Sequence, residues 1–145
     1  MEYIGITEDK LHHIIGVARK AYQIAKSMGK DEAFCRRCFM LGYLHDVGYE
    51  FSSKPHQHPD ISAKLLLDIG IPANSFYDTI KNHGRCVSDM SDEYIILNMA
   101  DMLIDAKGRE VNVSERLEDI KKRYGRYSNQ YLTACAICLR IGLKN

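Results

Sequence analysis

The chain has 145 residues, of which 46% are hydrophobic and 27% are charged, and its formal net charge at pH 7 is +1. This composition is typical of a globular domain with a full core, and the near-neutral charge gives no reason to expect nucleic-acid binding. The sequence contains no signal-peptide pattern and no run of roughly 18 apolar residues that would span a membrane. We therefore expect one cytoplasmic domain over residues 1–145.

Two helices and a loop are predicted in the first part of the chain. Thr7 is predicted to cap a first helix, which Gly29 ends, and Asp31 to cap a second helix that leads to His45. Apolar residues recur at helical spacing through both segments. Residues 50–57 lose this periodicity, so we expect a loop there.

Three further helices follow, and each ends at a glycine. They run from His58 to Gly70, from Pro72 to Gly84, and from Tyr94 (capped by Ser91 or Asp92) to about Lys107 before Gly108. Residues 113–143 are predicted to form one long or two shorter helices, with a break at 124–126. Because no alternating strand pattern occurs, the predicted fold class is all-α, with about six to seven helices.

The doublet His45-Asp46 is the first candidate site. Neighbouring residues on a regular helix point about 100° apart, so both side chains meet one ion only where the helix unwinds. Gly48 favours such an end, because glycine tolerates the left-handed conformation that commonly closes helices. The alternative is a polar helix end on the surface.

Three further histidines lie at comparable places in the predicted helices. His13 lies in the first helix, His58 begins the third and His83 ends the fourth. Side chains at the ends of different helices can converge on one pocket. Taken singly, each histidine also has an ordinary explanation, as a core residue, a helix start, or a cation that favours a helix C-terminus.

Asp101 is the remaining candidate ligand. Its helical neighbours Leu97 and Ile104 place it on or beside a buried face, and no arginine or lysine lies within one turn of it. A buried ionised carboxylate needs a partner, for which a metal ion is the simplest choice and a hydrogen bond to Asn98 or the backbone the alternative. One metal site explains all these residues together, which favours the metal interpretation.

The order of these residues resembles the H…HD…H…H…D pattern of the HD superfamily of metal-dependent phosphohydrolases. The resemblance runs from about His13 to Asp105 and implies a small, single-domain helical bundle of the HD-domain type. It also implies one or two divalent transition-metal ions (Fe, Mn, Co, Ni or Zn), with His45 and Asp46 at the catalytic centre. The implied ligands are His13, His45, Asp46 and Asp101 for the first ion, and His58, His83 and a bridging Asp46 for the second.

The activity implied by the resemblance is hydrolysis of a phosphate ester or anhydride by water activated between two metal ions. The expected substrate is a nucleotide or another small phosphorylated molecule, as for a phosphomonoesterase, phosphodiesterase or nucleotide hydrolase. Neither a nucleic-acid polymer nor a membrane is expected as a partner. Two alternatives stay open: a diiron oxygenase of the HD fold, and a non-catalytic module that binds a nucleotide or a partner helix.

Many family members have a lysine after the glycine that follows the doublet, whereas this chain has Tyr49-Glu50. Other residues would then have to contact the substrate phosphate. The candidates for substrate binding are Tyr49, Lys54, His56, Lys64 and Arg85. The lysines and the arginine have surface charge as their ordinary explanation. His12 competes with His13 for the first ligand position, but it points away from His13 on a helix.

The sequence has five cysteines, and an odd number without a secretion signal favours free thiols. Cys35 and Cys38 form one pair at a spacing of three, and Cys135 and Cys138 form another. Together they resemble two halves of a zinc site. Because both pairs fall within helical patterns, where this spacing places small groups on one face, we expect core packing instead.

Overall fold

The computed structural model describes residues 2–143, and within that range it contains seven α-helices and no β-strand beyond a single bridge between Ile104 and Glu110. The prediction of an all-α fold is therefore confirmed. The helices are α1 (Glu8–Ser27), α2 (Glu32–Leu44), α3 (His58–Asp68), α4 (Ser75–Asn82), α5 (Asp92–Leu103), α6 (Val113–Tyr124) and α7 (Asn129–Arg140).

The N-caps of α1 and α2 are confirmed as predicted. The Thr7 hydroxyl accepts a hydrogen bond from the Lys10 amide at 3.1 Å, and the Asp31 carboxylate accepts one from the Phe34 amide at 2.8 Å. Each cap satisfies one of the backbone amides that have no partner within the first helical turn. These caps fix where both helices begin, and α2 then ends immediately before the His45-Asp46 doublet.

The main core lies between the first five helices, and α5 runs through it. Val17 of α1, Leu41 of α2, Leu66 of α3, Ile80 of α4 and Leu97 of α5 belong to one buried cluster. Burial of each such side chain stabilises the fold by about 1.5–3 kcal/mol. Because α5 packs against α1, α2, α4, α6 and α7, it holds its polar residues at the centre of the molecule.

A second, smaller cluster joins α6 and α7 to the end of α5. It contains Met102, Ile120 and Cys138. Cys35 and Cys38 belong instead to the main core. Core packing is therefore confirmed for Cys35, Cys38 and Cys138, which lie in two different clusters, whereas Cys135 is half-buried. Every helix within residues 2–143 is too short or too polar to form a membrane span.

Several predicted boundaries are wrong, each for a local reason. α4 begins at Ser75 rather than Pro72, because the Asn74 side chain caps its first amides. α5 ends at Leu103 rather than near residue 107, because Ile104 is extended and its segment bridges to residue 110. The predicted loop at 50–57 contains the end of one 3₁₀-helix and all of a second, Pro55–Gln57. The predicted break at 124–126 is confirmed, because α6 and α7 are separate helices on either side of it.

Gly48 has a different role from the one predicted. It does not adopt a positive φ angle, and it lies inside the first 3₁₀-helix, Val47–Phe51. A Cβ atom at Gly48 would lie 2.3 Å from the His58 carbonyl oxygen and 2.5 Å from the Ser62 amide nitrogen. Glycine is therefore required by the close approach of α3, and not by a left-handed helix end.

Candidate metal centre

The six predicted ligands converge on a single buried site from five helices and the turn that follows α2. His13 lies on α1, His45 follows α2, Asp46 precedes the first 3₁₀-helix, His58 begins α3, His83 follows α4, and Asp101 lies on α5. The side chain of His45 is fully buried, and His13, Asp46 and His83 are each no more than 7% exposed. His12 is exposed and lies outside the site.

Each of the four imidazoles donates a hydrogen bond from Nδ1 to a backbone carbonyl oxygen. The distances are 2.8 Å from His13 to Asp105, 2.5 Å from His45 to Gly42, 2.5 Å from His58 to Pro55, and 2.6 Å from His83 to Ile80. A carbonyl oxygen can only accept, so each Nδ1 must carry the proton. In a neutral imidazole, Nε2 then presents a lone pair. Such a bond to the other ring nitrogen is typical of histidines that bind metals.

These lone pairs point at the two carboxylates. His13 Nε2 lies 2.9 Å from one oxygen of Asp101, and His45 Nε2 lies 3.2 Å from Oδ2 of Asp46. The other oxygen of Asp46 lies 3.1 Å from His58 Nε2 and 3.4 Å from His83 Nε2. Asp46 therefore lies between two pairs of histidines, with one oxygen directed at each pair.

The unpaired atoms of the site fit a cation. His58 Nε2 and His83 Nε2 lie 3.0 Å apart, although neither neutral ring has a proton to donate at that position. His45 Nε2 is buried and has no hydrogen-bond partner. Acceptors that face one another without a donor repel, and a divalent ion bound between them removes that repulsion.

The electrostatics of the site also favour a bound cation. Burial lowers the pKa of His45, but the carboxylates of Asp46 and Asp101 outweigh it and raise that pKa well above its usual value. Burial raises the pKa of Asp46, and the neighbouring His45 and His58 outweigh it and hold the pKa well below its usual range. For His83 burial dominates, and its pKa is lowered. The pocket thus favours ionised carboxylates and a bound positive charge.

Two groups of three side chains have ligand atoms within 4.8 Å of one another and could hold a metal ion. The first contains His13, His45 and Asp101, and the second contains His45, Asp46 and His83. All of these donors are imidazole nitrogens or carboxylate oxygens. Such a set suits divalent transition metals, among which the donor atoms do not discriminate.

A buried serine network seats α3 against the doublet. The Ser62 hydroxyl accepts a hydrogen bond from the Gly48 amide at 2.7 Å and donates one to the His45 carbonyl oxygen at 3.0 Å. The Ser52 hydroxyl donates to the Gly48 carbonyl oxygen at 2.7 Å. The network ties the start of α3, which carries His58, to the backbone of the doublet.

The structure brings three of the five predicted substrate-binding residues to the cavity beside these ligands. Tyr49, His56 and Arg85 line it, and the Tyr49 ring stacks on His58 with centroids 4.1 Å apart. Lys54 and Lys64 are exposed and do not line it, and Lys64 pairs with Asp68 on the same helix.

Sequence reasoning missed the wall formed by the C-terminal helices. The cavity has a volume of about 450 Å³, and α6 and α7 contribute Arg116, Arg123, Gln130, Ala134 and Ile137 to its lining. Lys10 of α1 lines it as well. The amphipathic patterns of α6 and α7 indicated helices only, because no local signal says which surface a helix covers.

Comparison with known proteins assigns the chain to a family. The HD domain family model matches residues 11–120, which is more than half of the chain, and the chain belongs to that family. HD domains bind divalent metal ions and are generally metal-dependent phosphohydrolases. The match ends within α6, so Arg123 and all of α7 lie beyond it. A search of curated proteins and a search of solved structures each found no match.

Proposed function

We propose that this protein is a metal-dependent phosphohydrolase that acts on a small phosphorylated molecule such as a nucleotide. The observation that carries the proposal is the orientation of the four imidazoles. Each is bonded through Nδ1 to a carbonyl oxygen, so that its Nε2 lone pair is directed at the carboxylates. This arrangement presents nitrogen and oxygen ligands to a cation from several sides.

In this proposal Asp46 is shared between two ions. His13, His45, Asp46 and Asp101 would hold the first ion, and His58, His83 and Asp46 would hold the second. Four neutral imidazoles and two carboxylates carry a charge of −2, so two divalent ions would leave the site at about +2. A pocket of that charge attracts a phosphate group and disfavours a neutral substrate.

The bound ions would lower the pKa of water towards neutrality and stabilise charge on the phosphoryl oxygens. The protein's own residues orient the reaction. The backbone carbonyls prevent the imidazoles from rotating, and Tyr49 stacks on His58 and covers one side of that ring. His56 lines the cavity and can donate a hydrogen bond to a substrate oxygen.

The cavity supports a substrate that carries an organic group beyond its phosphate. Its volume of about 450 Å³ falls within the range of roughly 300–1,000 Å³ that is usual for small-molecule sites. The wall contributed by α7 combines the amides of Asn129 and Gln130 with the apolar Ala134 and Ile137. Such a mixture suits a nucleoside, which has both apolar faces and polar edges.

The test is phosphate release from a panel of nucleotides and other phosphate esters, with Mn, Fe, Co, Ni or Zn added in turn. We expect activity with at least one metal. In His45→Ala the activity should fall at least about 100-fold, because this variant lacks a ligand of the metal on which the reaction depends. His12→Ala is the matched control, because it also removes a histidine, but one that is exposed and lies outside the site. It should retain activity within about twofold of the parent protein.

Absence of release with every metal, in protein shown to contain metal, would contradict the hydrolase proposal. Substrate-dependent oxygen uptake by the iron-loaded protein would favour the oxygenase alternative instead. Full activity with zinc would exclude that alternative, because zinc has no redox chemistry.

A further inference from the structure

Three basic side chains line the cavity in addition to the candidate ligands. Lys10 comes from α1, and Arg116 and Arg123 come from α6. The proposed ligand set uses none of them. A fourth base at the cavity, Arg85, is paired through both terminal nitrogens with the two carboxylate oxygens of Asp60, at 2.9 and 3.0 Å. The charge of Arg85 is therefore matched, and the other three require a separate explanation.

Arg116 is held against the metal centre and is incompletely satisfied. Its side chain is only 11% exposed, and its Nε donates a hydrogen bond to the Asp101 carbonyl oxygen at 3.3 Å. Its Nη1 is buried without any hydrogen-bond partner, although an oxygen of Asp119 lies 3.5 Å away. A buried guanidinium nitrogen without an acceptor is unfavourable, so this atom can donate a hydrogen bond to an anionic ligand.

Lys10 is also without a carboxylate partner. Its Nζ lies 3.7 Å from the centre of the Tyr49 ring, and no acidic oxygen within residues 2–143 lies within 4.0 Å of it. Burial lowers the pKa of Lys10, Asp46 raises it, and Arg123 and Arg116 lower it further. The three cations are therefore close enough to repel one another, and the Tyr49 ring holds Lys10 among them.

Asp119 links the two arginines. One of its oxygens lies 3.5 Å from Arg116 Nη1 and 2.5 Å from Arg123 Nη2. Asp101 also lies 3.9 Å from Arg116 Nη2, but its charge is already counted in the metal centre. Asp119 therefore balances one of the three positive charges, and this wall of the cavity keeps a surplus of about +2. That surplus lines the cavity beside the candidate metal centre, where Arg116 is 11% exposed and Arg123, at the rim, is 42% exposed.

We propose that Lys10, Arg116 and Arg123 form an anion subsite that binds a second phosphoryl group of the substrate. The inference rests on the proposed function, in which the loaded metal centre has a charge of about +2 and matches one phosphate dianion. The surplus of the basic wall matches a second. The favoured substrates are therefore diphosphates, longer phosphate chains or bisphosphates rather than simple monoesters. The guanidinium groups of the two arginines are suited to binding phosphate oxygens.

The experiment compares two probes that the protein cannot hydrolyse, inorganic phosphate and methylenediphosphonate, by calorimetric titration of the metal-loaded protein. Metal content is measured before and after each titration. In Lys10→Met and in Arg123→Gln we expect diphosphonate affinity to fall at least about tenfold, while phosphate affinity changes less than about twofold. The matched controls are Lys64→Met and Arg126→Gln, whose side chains are exposed and do not line the cavity.

Equal losses for both probes would overturn the proposal, because the three cations would then hold the single phosphate. Unchanged affinity for the diphosphonate would also overturn it. The subsite can be supported even if no substrate is turned over, since binding is the readout. Conversely, hydrolysis of phosphate esters with no preference for diphosphonate binding would leave the proposed function intact and remove the subsite.

Discussion

At the scale of single residues, the bonds made by Nδ1 decide what each imidazole can do. A histidine that donates to a backbone carbonyl cannot rotate to hide its Nε2 lone pair, so the ring stays ready for a cation. Asp46 differs from the histidines, because its two oxygens are directed at different pairs of rings. Substitutions at the site should therefore have unequal effects on metal binding.

We predict that substitutions of Asp46 and His83 lower the metal content of the protein to different extents. Asp46→Ala removes the residue shared by both ions and should reduce the metal content to well below one ion per chain. His83→Ala removes a ligand of only one ion and should leave about one. Elemental analysis of protein purified without chelator measures both values. Equal metal content in the two variants would contradict a shared role for Asp46.

Glycine is required at position 48 by the close contact with α3, and we predict that alanine there disturbs the site. Gly48→Ala would place a methyl group 2.3 Å from the His58 carbonyl oxygen, so the start of α3 must shift. We expect a loss of about 1–3 kcal/mol in the free energy of unfolding and a partial loss of the ion bound by His58. Denaturant unfolding and elemental analysis measure the two effects.

Gly70→Ala is the control for that substitution. Gly70 has a positive φ of 91°, and a Cβ atom added there would meet nothing within 4 Å, so its cost is confined to backbone strain. Metal content should be unchanged in Gly70→Ala. If Gly48→Ala also retained its full metal content, the contact would matter for stability alone.

At the scale of elements, α7 contributes to the cavity without contributing to the candidate metal centre. Its Ala134 lines the cavity, whereas Leu132 two residues earlier is 51% exposed. The helix is anchored through Cys138 and Ile137, which are buried against α5 and its neighbours. A residue on the inner face of α7 can therefore change the shape of the cavity while the ligands stay in place.

Ala134→Phe should narrow the cavity and discriminate between substrates by size. We expect at least about a tenfold rise in KM for substrates with a bulky organic group, a smaller change for compact phosphate esters, and unchanged metal content. Steady-state kinetics over a size series measures the difference. Leu132→Phe is the control on the outer face and should behave like the parent. A uniform effect on all substrates would place the organic group elsewhere.

At the scale of the whole molecule, the candidate ligands connect the same five helices that pack together in the main hydrophobic core. A bound ion would therefore stabilise the folded state against the unfolded chain, in which the same side chains are far apart. With free metal at 100 times Kd, the stabilisation is about 2.7 kcal/mol per site. For a domain near this size, that corresponds to a shift of roughly 5–10 °C in Tm.

We predict that a chelator lowers the Tm of the parent protein by roughly that amount for each ion removed and that adding metal restores it. Differential scanning calorimetry measures both steps. Asp46→Ala, which lacks the shared ligand, should respond little to either treatment. A parent Tm that does not change with chelator, in protein shown to have lost its metal, would mean that the ions are not coupled to folding.

The sequence by itself determined the helices and the identity of the candidate ligands. Caps such as Thr7 and Asp31 act within one helical turn, so they can be read locally. The order of histidines and aspartates can also be recognised in the sequence, because a metal site needs those side-chain types wherever the chain brings them together. The end of α5 was misplaced, since the bridge between Ile104 and Glu110 depends on a turn that local propensity did not indicate.

Only the tertiary structure decided how the candidate site is held and what surrounds it. The tautomer of each imidazole depends on where a backbone carbonyl lies, and for His13 that carbonyl belongs to Asp105, far away in the sequence. The role of Gly48 depends on the approach of α3, and the basic wall depends on α6 packing beside α1 and α5. These features arise from contacts between segments that are distant in the chain, and residue spacing alone carries no information about such contacts.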